Sequence, residues 1–146
     1  MSGLDSIPVR VDDGLQKDFR TDNLAPVLRQ LEQALADLAE TGAESTIDLA
    51  AMPFSERDER ELRDLLGRGE VSADMDAFGP TEVYETAYSG VWFVEHRNAD
   101  QCRLTLHIEV TRMPKILMTP QGDVVDALAR LRAALQQETD SQEEVQ

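Results

Sequence analysis

The chain has 146 residues, with 29 acids against 14 bases, a net charge of −15 and one cysteine, Cys102. That size suits one domain with a modest core, and a single cysteine excludes an internal disulfide framework. The charge repels phosphate backbones and anionic headgroups, which disfavours nucleic acid and membrane as partners and favours a basic one.

No apolar run approaches the roughly 18 residues that span a bilayer. The start, Met1-Ser2-Gly3-Leu4-Asp5, lacks the basic patch and apolar run of a secretory signal. The expectation is a cytoplasmic protein without membrane insertion.

Residues 1–21 mix turn formers with short apolar pairs and read as a flexible N-terminal arm. A helix follows, with Asp22 or Asn23 as cap and Pro26 in its first turn. Leu28, Leu31, Leu35 and Leu38 share one face, and Gly42 ends it. Ile47, Leu49 and Ala51 alternate with polar or small residues, which predicts a strand over Ser45–Ala51. Ser55 then caps a helix over Glu56–Leu66, with Asp58 placed to reach back to the cap.

From Gly67 to Pro114 the chain carries glycine-punctuated runs of β-branched and aromatic residues. Val71–Ala77, Thr81–Tyr88, Val91–Arg97 and Arg103–Thr111 read as strands, joined by turns at Gly79-Pro80, Ser89-Gly90 and Asn98–Gln101. Lys115–Met118 reads as a short turn. Thr119-Pro120 then opens a last helix with Val124, Leu128, Leu131 and Leu135 on one face.

The fold expected is α+β: an antiparallel, mainly meander sheet of about 4–5 strands with two or three helices packed on one face. Residues 22–137 form that single domain, and 138–146, with four acids and no base, an acidic disordered tail.

No nucleophile elbow, placed Cys–His pair or phosphate-binding loop is present, so no catalytic residue is assigned. Cys102 has no partner for chemistry. Glu95, His96, His107 and Glu109 lie on two neighbouring strands. If Arg97 pairs with Arg103, Glu95 lies opposite Thr105 and diagonal to His107 on the polar face, with Glu109 continuing it and His96 toward the core. A shift of one residue swaps these faces. Glu95, His107 and Glu109 are thus a candidate metal-binding or metal-dependent enzymatic set, against a reading as cross-strand hydrogen bonds.

Tyr84, Tyr88, Trp92 and Phe93 are the aromatics of the sheet, and Trp92 and Phe93 must point to opposite faces. Residues 69–111 carry eight acids against Arg97 and Arg103, a formal −6. An acidic sheet face with an exposed aromatic is expected to dock a basic, partly apolar peptide. The candidate partner-binding residues are Glu70, Tyr84, Glu85, Trp92, Phe93, Glu95, His107 and Glu109. The peptide would cross the face or pair with an edge strand.

Several stretches resemble the HupH/HyaF family of hydrogenase expression/formation proteins. They are Ile47-Asp48-Leu49 with Met52-Pro53, Leu65 to Ser72, Glu85-Thr86 with Gly90-Val91-Trp92, Val94-Glu95-His96 with Asn98-Ala99, and Ile108 to Thr111 ending at Pro114. The resemblance covers roughly Leu24 to Leu135 and matches the C-terminal region of that family.

It implies a non-catalytic assembly chaperone without cofactor. The client implied is the small-subunit precursor of an uptake [NiFe] hydrogenase, alongside other maturation factors. Many family members are implied to be longer, with a related segment upstream. A single segment here implies a compact variant, one that pairs with itself as a homodimer, or one that does only part of the family's task.

Overall fold

The computed structural model describes residues 21–76 and 78–144. The arm expected over residues 1–21 lies outside them, except for Thr21. Contacts divide the chain into two units, Met1–Arg112 and Met113–Gln146.

In the first unit, helix α1 (Leu24–Thr41) precedes strand β1 (Ser45–Asp48) and a 3-10 turn (Leu49–Ala51). Helix α2 (Glu56–Leu66) follows, then strands β2 (Ser72–Asp76), β3 (Pro80–Glu85), β4 (Val91–Arg97) and β5 (Arg103–Val110). The strands form one antiparallel sheet in the order β1-β5-β4-β3-β2. β2 to β5 make the meander, and β1 adds beside β5. The expected α+β class and helix-covered sheet are therefore present.

α1 buries Val27, Leu31 and Ala34 and stops at Gly42, whose φ of 75° is left-handed. Asn23 holds the N-cap position without capping; its side-chain amide donates instead to the Pro53 carbonyl at 2.6 Å. β1 is shorter than the alternation predicts because the Asp48 carboxylate accepts the Ala50 N–H and turns the chain into the 3-10 turn.

α2 has the expected capping box. Asp58 N–H donates to Ser55 Oγ, and Ser55 N–H donates to the Asp58 carboxylate, both at 3.1 Å. Asp58 also takes the Thr21 hydroxyl at 2.6 Å, so it ties the start of the described chain to the α2 cap. Burial opposes its charge, but hydrogen bonds from Thr21 and Ser55 prevail and hold the carboxyl below its ordinary range.

Two faces of the sheet follow from the register. Tyr84, Phe93, Leu106 and Ile108 lie toward α1 and α2 and join Leu31, Leu62 and Leu66 in the main core. Val83, Trp92 and Val94 lie on the other face, and they too are buried. That face was expected to be open and polar; its centre is instead apolar and covered.

The tight turn before β3 requires glycine at position 79: φ is +134°, and a Cβ there would stand 2.1 Å from the Arg97 carbonyl oxygen.

The second unit holds a 3-10 turn (Lys115–Leu117) and helix α3 (Gln121–Glu144). α3 runs past Gln137, where the sequence suggested disorder. Thr139 Oγ1 donates to the Leu135 carbonyl, and Gln136 donates to Asp140, so local bonds continue the helix into the acidic stretch. Val124, Leu128, Leu131 and Leu135 share a stripe, and no residue of α3 is buried.

Candidate functional site

The candidate residues were expected to build an acidic docking face with an exposed aromatic, one of Trp92 and Phe93 lying on it and the other in the core. The sheet separates them. Between His96 and Arg97 the β4–β5 register shifts. Arg97 does pair with Arg103, but the irregularity then sets His96 opposite Thr105 and Glu95 opposite Leu106. Glu95 therefore points toward α2, and His96 turns to the opposite face with His107 and Glu109. This corrects the regular-ladder assignment: an extra residue beside the turn exchanged the faces.

Glu95 is one pole of an ion-pair network. Arg63 of α2 reaches it at 3.0 Å, Arg103 at 3.1 Å, and Arg97 also pairs with it. Arg103 grips Glu59 with two bonds of 2.7 and 2.8 Å, and Arg63 donates to Glu59 at 3.0 Å. Burial works against the charge on Glu59, yet the bonds from Arg103 and the charge of Arg63 hold it below the ordinary carboxylate range. The bonds that Arg103 donates to Glu59 do most to hold Arg103 charged. Charge on this network is already compensated, so it clamps α2 to β4 and β5.

Tyr84 and Phe93 belong to the same side. Their rings stack at 5.3 Å, the Arg63 guanidinium lies 4.6 Å over the Phe93 ring, and Arg63 donates to the Tyr84 hydroxyl at 2.7 Å. Tyr84, Trp92 and Phe93 are 5%, 3% and 1% exposed. None offers an aromatic surface to a partner, which overturns that part of the expectation. Trp92 donates its Nε1–H to the Thr111 carbonyl at 3.0 Å, the partner a buried indole needs.

On the face opposite the helices, His107 and Glu109 meet at 3.2 Å, His96 bonds Thr81 at 2.7 Å, and the two imidazoles lie 6.1 Å apart. Glu85 takes the Gly90 N–H at 3.1 Å and so serves the β3–β4 turn. With Glu95 on the other face, Glu95, His107 and Glu109 do not converge, so the proposed metal set is corrected. Among the described residues no group of three or more His, Cys, Asp or Glu could hold a metal ion. No helix among them is long and apolar enough to cross a membrane.

Glu70 alone of the eight candidates is exposed, just before β2. It leads into a region the strand pattern did not single out. β2 is an edge strand of the sheet, carrying exposed Asp74 and Asp76, and exposed Glu82 lies beside it on β3. At the turn between them Phe78 is fully exposed, with φ at +60°. A bulky residue in the left-handed region is uncommon. The available signal was an aromatic set directly before Gly79-Pro80, where a polar turn residue is expected.

Comparison with known proteins places this fold. A family model described as "HupH hydrogenase expression protein, C-terminal conserved region" matches residues 22–137. The solved structure of the hydrogenase expression protein HupH from Thiobacillus denitrificans superposes with a TM-score of 0.78 at 40% identity, over 82% of this chain and 99% of that one.

Hydrogenase expression/formation protein HupQ of Azotobacter chroococcum is 33% identical over 112 residues, 75% of this chain and 39% of the relative. HupH of Rhodobacter capsulatus is 32% identical over 95 residues, 65% of this chain and 34% of the relative. The chain thus spans less than half the length of these curated relatives. The match over nearly the whole described fold is decisive: the chain belongs to the HupH hydrogenase expression protein family, through its C-terminal conserved region.

Proposed function

We propose that the protein is a non-catalytic accessory factor in hydrogenase maturation. It binds the small-subunit precursor of an uptake [NiFe] hydrogenase in the cytoplasm, before that subunit is complete. Kinship with proteins named for hydrogenase expression and formation supports the maturation role.

The observation that carries the binding mode is the β2–β3 hairpin. Phe78 stands fully exposed at its turn, with Asp74, Asp76 and Glu82 along its strands. Folding gains little from a bulky side chain held in solvent at positive φ. An apolar anchor in an acidic surround suits a client that is basic and still exposes apolar surface. β2, which pairs with β3 alone among the described residues, lies next to it and can accept an extended segment at its outer edge.

The test is co-purification of the chain with the small-subunit precursor from cells making both. Capture that weakens from low to high salt is expected, because the acidic surround attracts the client and salt screens it. Absence of the precursor from the purified material at any salt concentration would overturn the proposal.

A further inference from the structure

The first unit presents an apolar groove of about 360 Å³. It is lined by Leu28, Leu31 and Leu35 of α1, by Leu65 and Leu66 of α2, and by Tyr88. Leu65 and Tyr88 are more than half exposed, so the groove carries large apolar area facing solvent. Glu32 is its charged lining residue.

The same chain carries a ligand of matching chemistry. α3 is 24 residues long, roughly 36 Å at the rise of an α-helix. Its stripe of Val124, Leu128, Leu131 and Leu135 recurs at four, three and four residues, the spacing that fills a groove between helices. All four are about half exposed. Arg130 and Arg132 flank Leu131 and are opposite in charge to Glu32.

We propose that the groove of one copy receives α3 of a second copy, and that the exchange is reciprocal. Among the described residues each chain offers both this groove and this helix, so a two-fold exchange satisfies both and closes the assembly. The connection from Met113 to Pro120 carries proline at positions 114 and 120 and holds the 3-10 turn. This inference is independent of the maturation client.

Complementation tests it. Wild-type chain should run as a dimer by light scattering. Leu65→Glu, which charges the groove, and Leu131→Glu, which charges the helix, should each raise the dimer dissociation constant roughly a hundredfold or more. Both sites are exposed in the single chain, so circular dichroism should show intact folds; Tyr88→Glu serves as a second groove variant.

Mixing Leu65→Glu with Leu131→Glu should restore a heterodimer, because the first retains a sound helix and the second a sound groove. A monomeric wild type would overturn the proposal. So would a mixture that stays monomeric, which is the result if α3 serves its own chain. A dimer broken by Leu131→Glu but untouched by both groove variants would mean that α3 pairs with α3, and would overturn the groove as its seat.

Discussion

The centre of the sheet and its β2–β3 edge use the same kinds of residue for opposite ends. At the centre, Phe93 and Trp92 are buried on the two faces of β4, and Glu95 is paired with three arginines. At the edge, Phe78 is fully exposed and Asp74, Asp76 and Glu82 face solvent. Composition makes both regions look acidic and aromatic. Covering decides which residues are consumed by folding: β4 has a strand on each side and is buried on both faces, whereas β2 and the turn after it lie at the rim of the sheet. Substitutions should therefore separate the two regions cleanly in stability.

The largest effect is expected at Phe93. Phe93→Ala removes a ring that stacks on Tyr84 and lies under Arg63, and leaves a cavity among Leu62, Ile108 and their neighbours. A loss of about 4 kcal/mol is expected in chemical denaturation, in line with buried Phe-to-Ala changes. A loss below about 1 kcal/mol would mean that the centre is not the packed core described.

Asp58 should come next. Asp58→Ala strips the α2 cap and leaves the Thr21 and Ser55 donors without their acceptor, a cost of roughly 3 kcal/mol. The acid response follows from its titration. The folded carboxyl is held below its ordinary value, so its contribution is complete above the unfolded-state pKa and is lost as pH falls through the folded one. Glu59, lowered by its arginines, acts in the same direction. Wild type should lose stability as pH drops below about 4, and Asp58→Ala should show a shallower acid slope. Parallel slopes would remove Asp58 as a source of acid sensitivity.

Much of this centre was legible in the sequence. Leu28 to Leu38 announced α1, Ser55 with Asp58 announced the α2 cap, and the run Arg103–Thr111 announced β5. The face of Glu95 was not legible, because one irregular residue beside Arg97 exchanges sides and leaves no mark in an alternating pattern. Burial of Trp92 was equally hidden. A β-strand tells which residues share a face; only the tertiary fold tells whether that face is covered. Phe78 escaped notice because strand patterns weigh strands, and it sits in a turn.

Trp92 gives a smaller, graded test. Trp92→Phe keeps an aromatic ring but deletes the Nε1–H bond to the Thr111 carbonyl, leaving a buried acceptor short of one partner. About 1–2 kcal/mol of destabilisation is expected, with small-subunit precursor capture unchanged once the protein is folded. A specific loss of capture at full folding would return the aromatic site to the centre of the sheet.

Phe78 should sit at the bottom of the stability scale and the top of the binding scale. Phe78→Gly removes no packed surface, because the ring touches solvent, and it relaxes a left-handed backbone that glycine adopts without strain. Stability should hold or rise by up to about 1 kcal/mol. Precursor capture should fall tenfold or more, the loss typical of an anchoring aromatic. Opposite signs from one substitution cannot arise from partial unfolding, because unfolding would lower both. Equal capture by Phe78→Gly and wild type would instead detach the hairpin from client binding. The exposed ring would then be a strained feature that neither folding nor recognition explains.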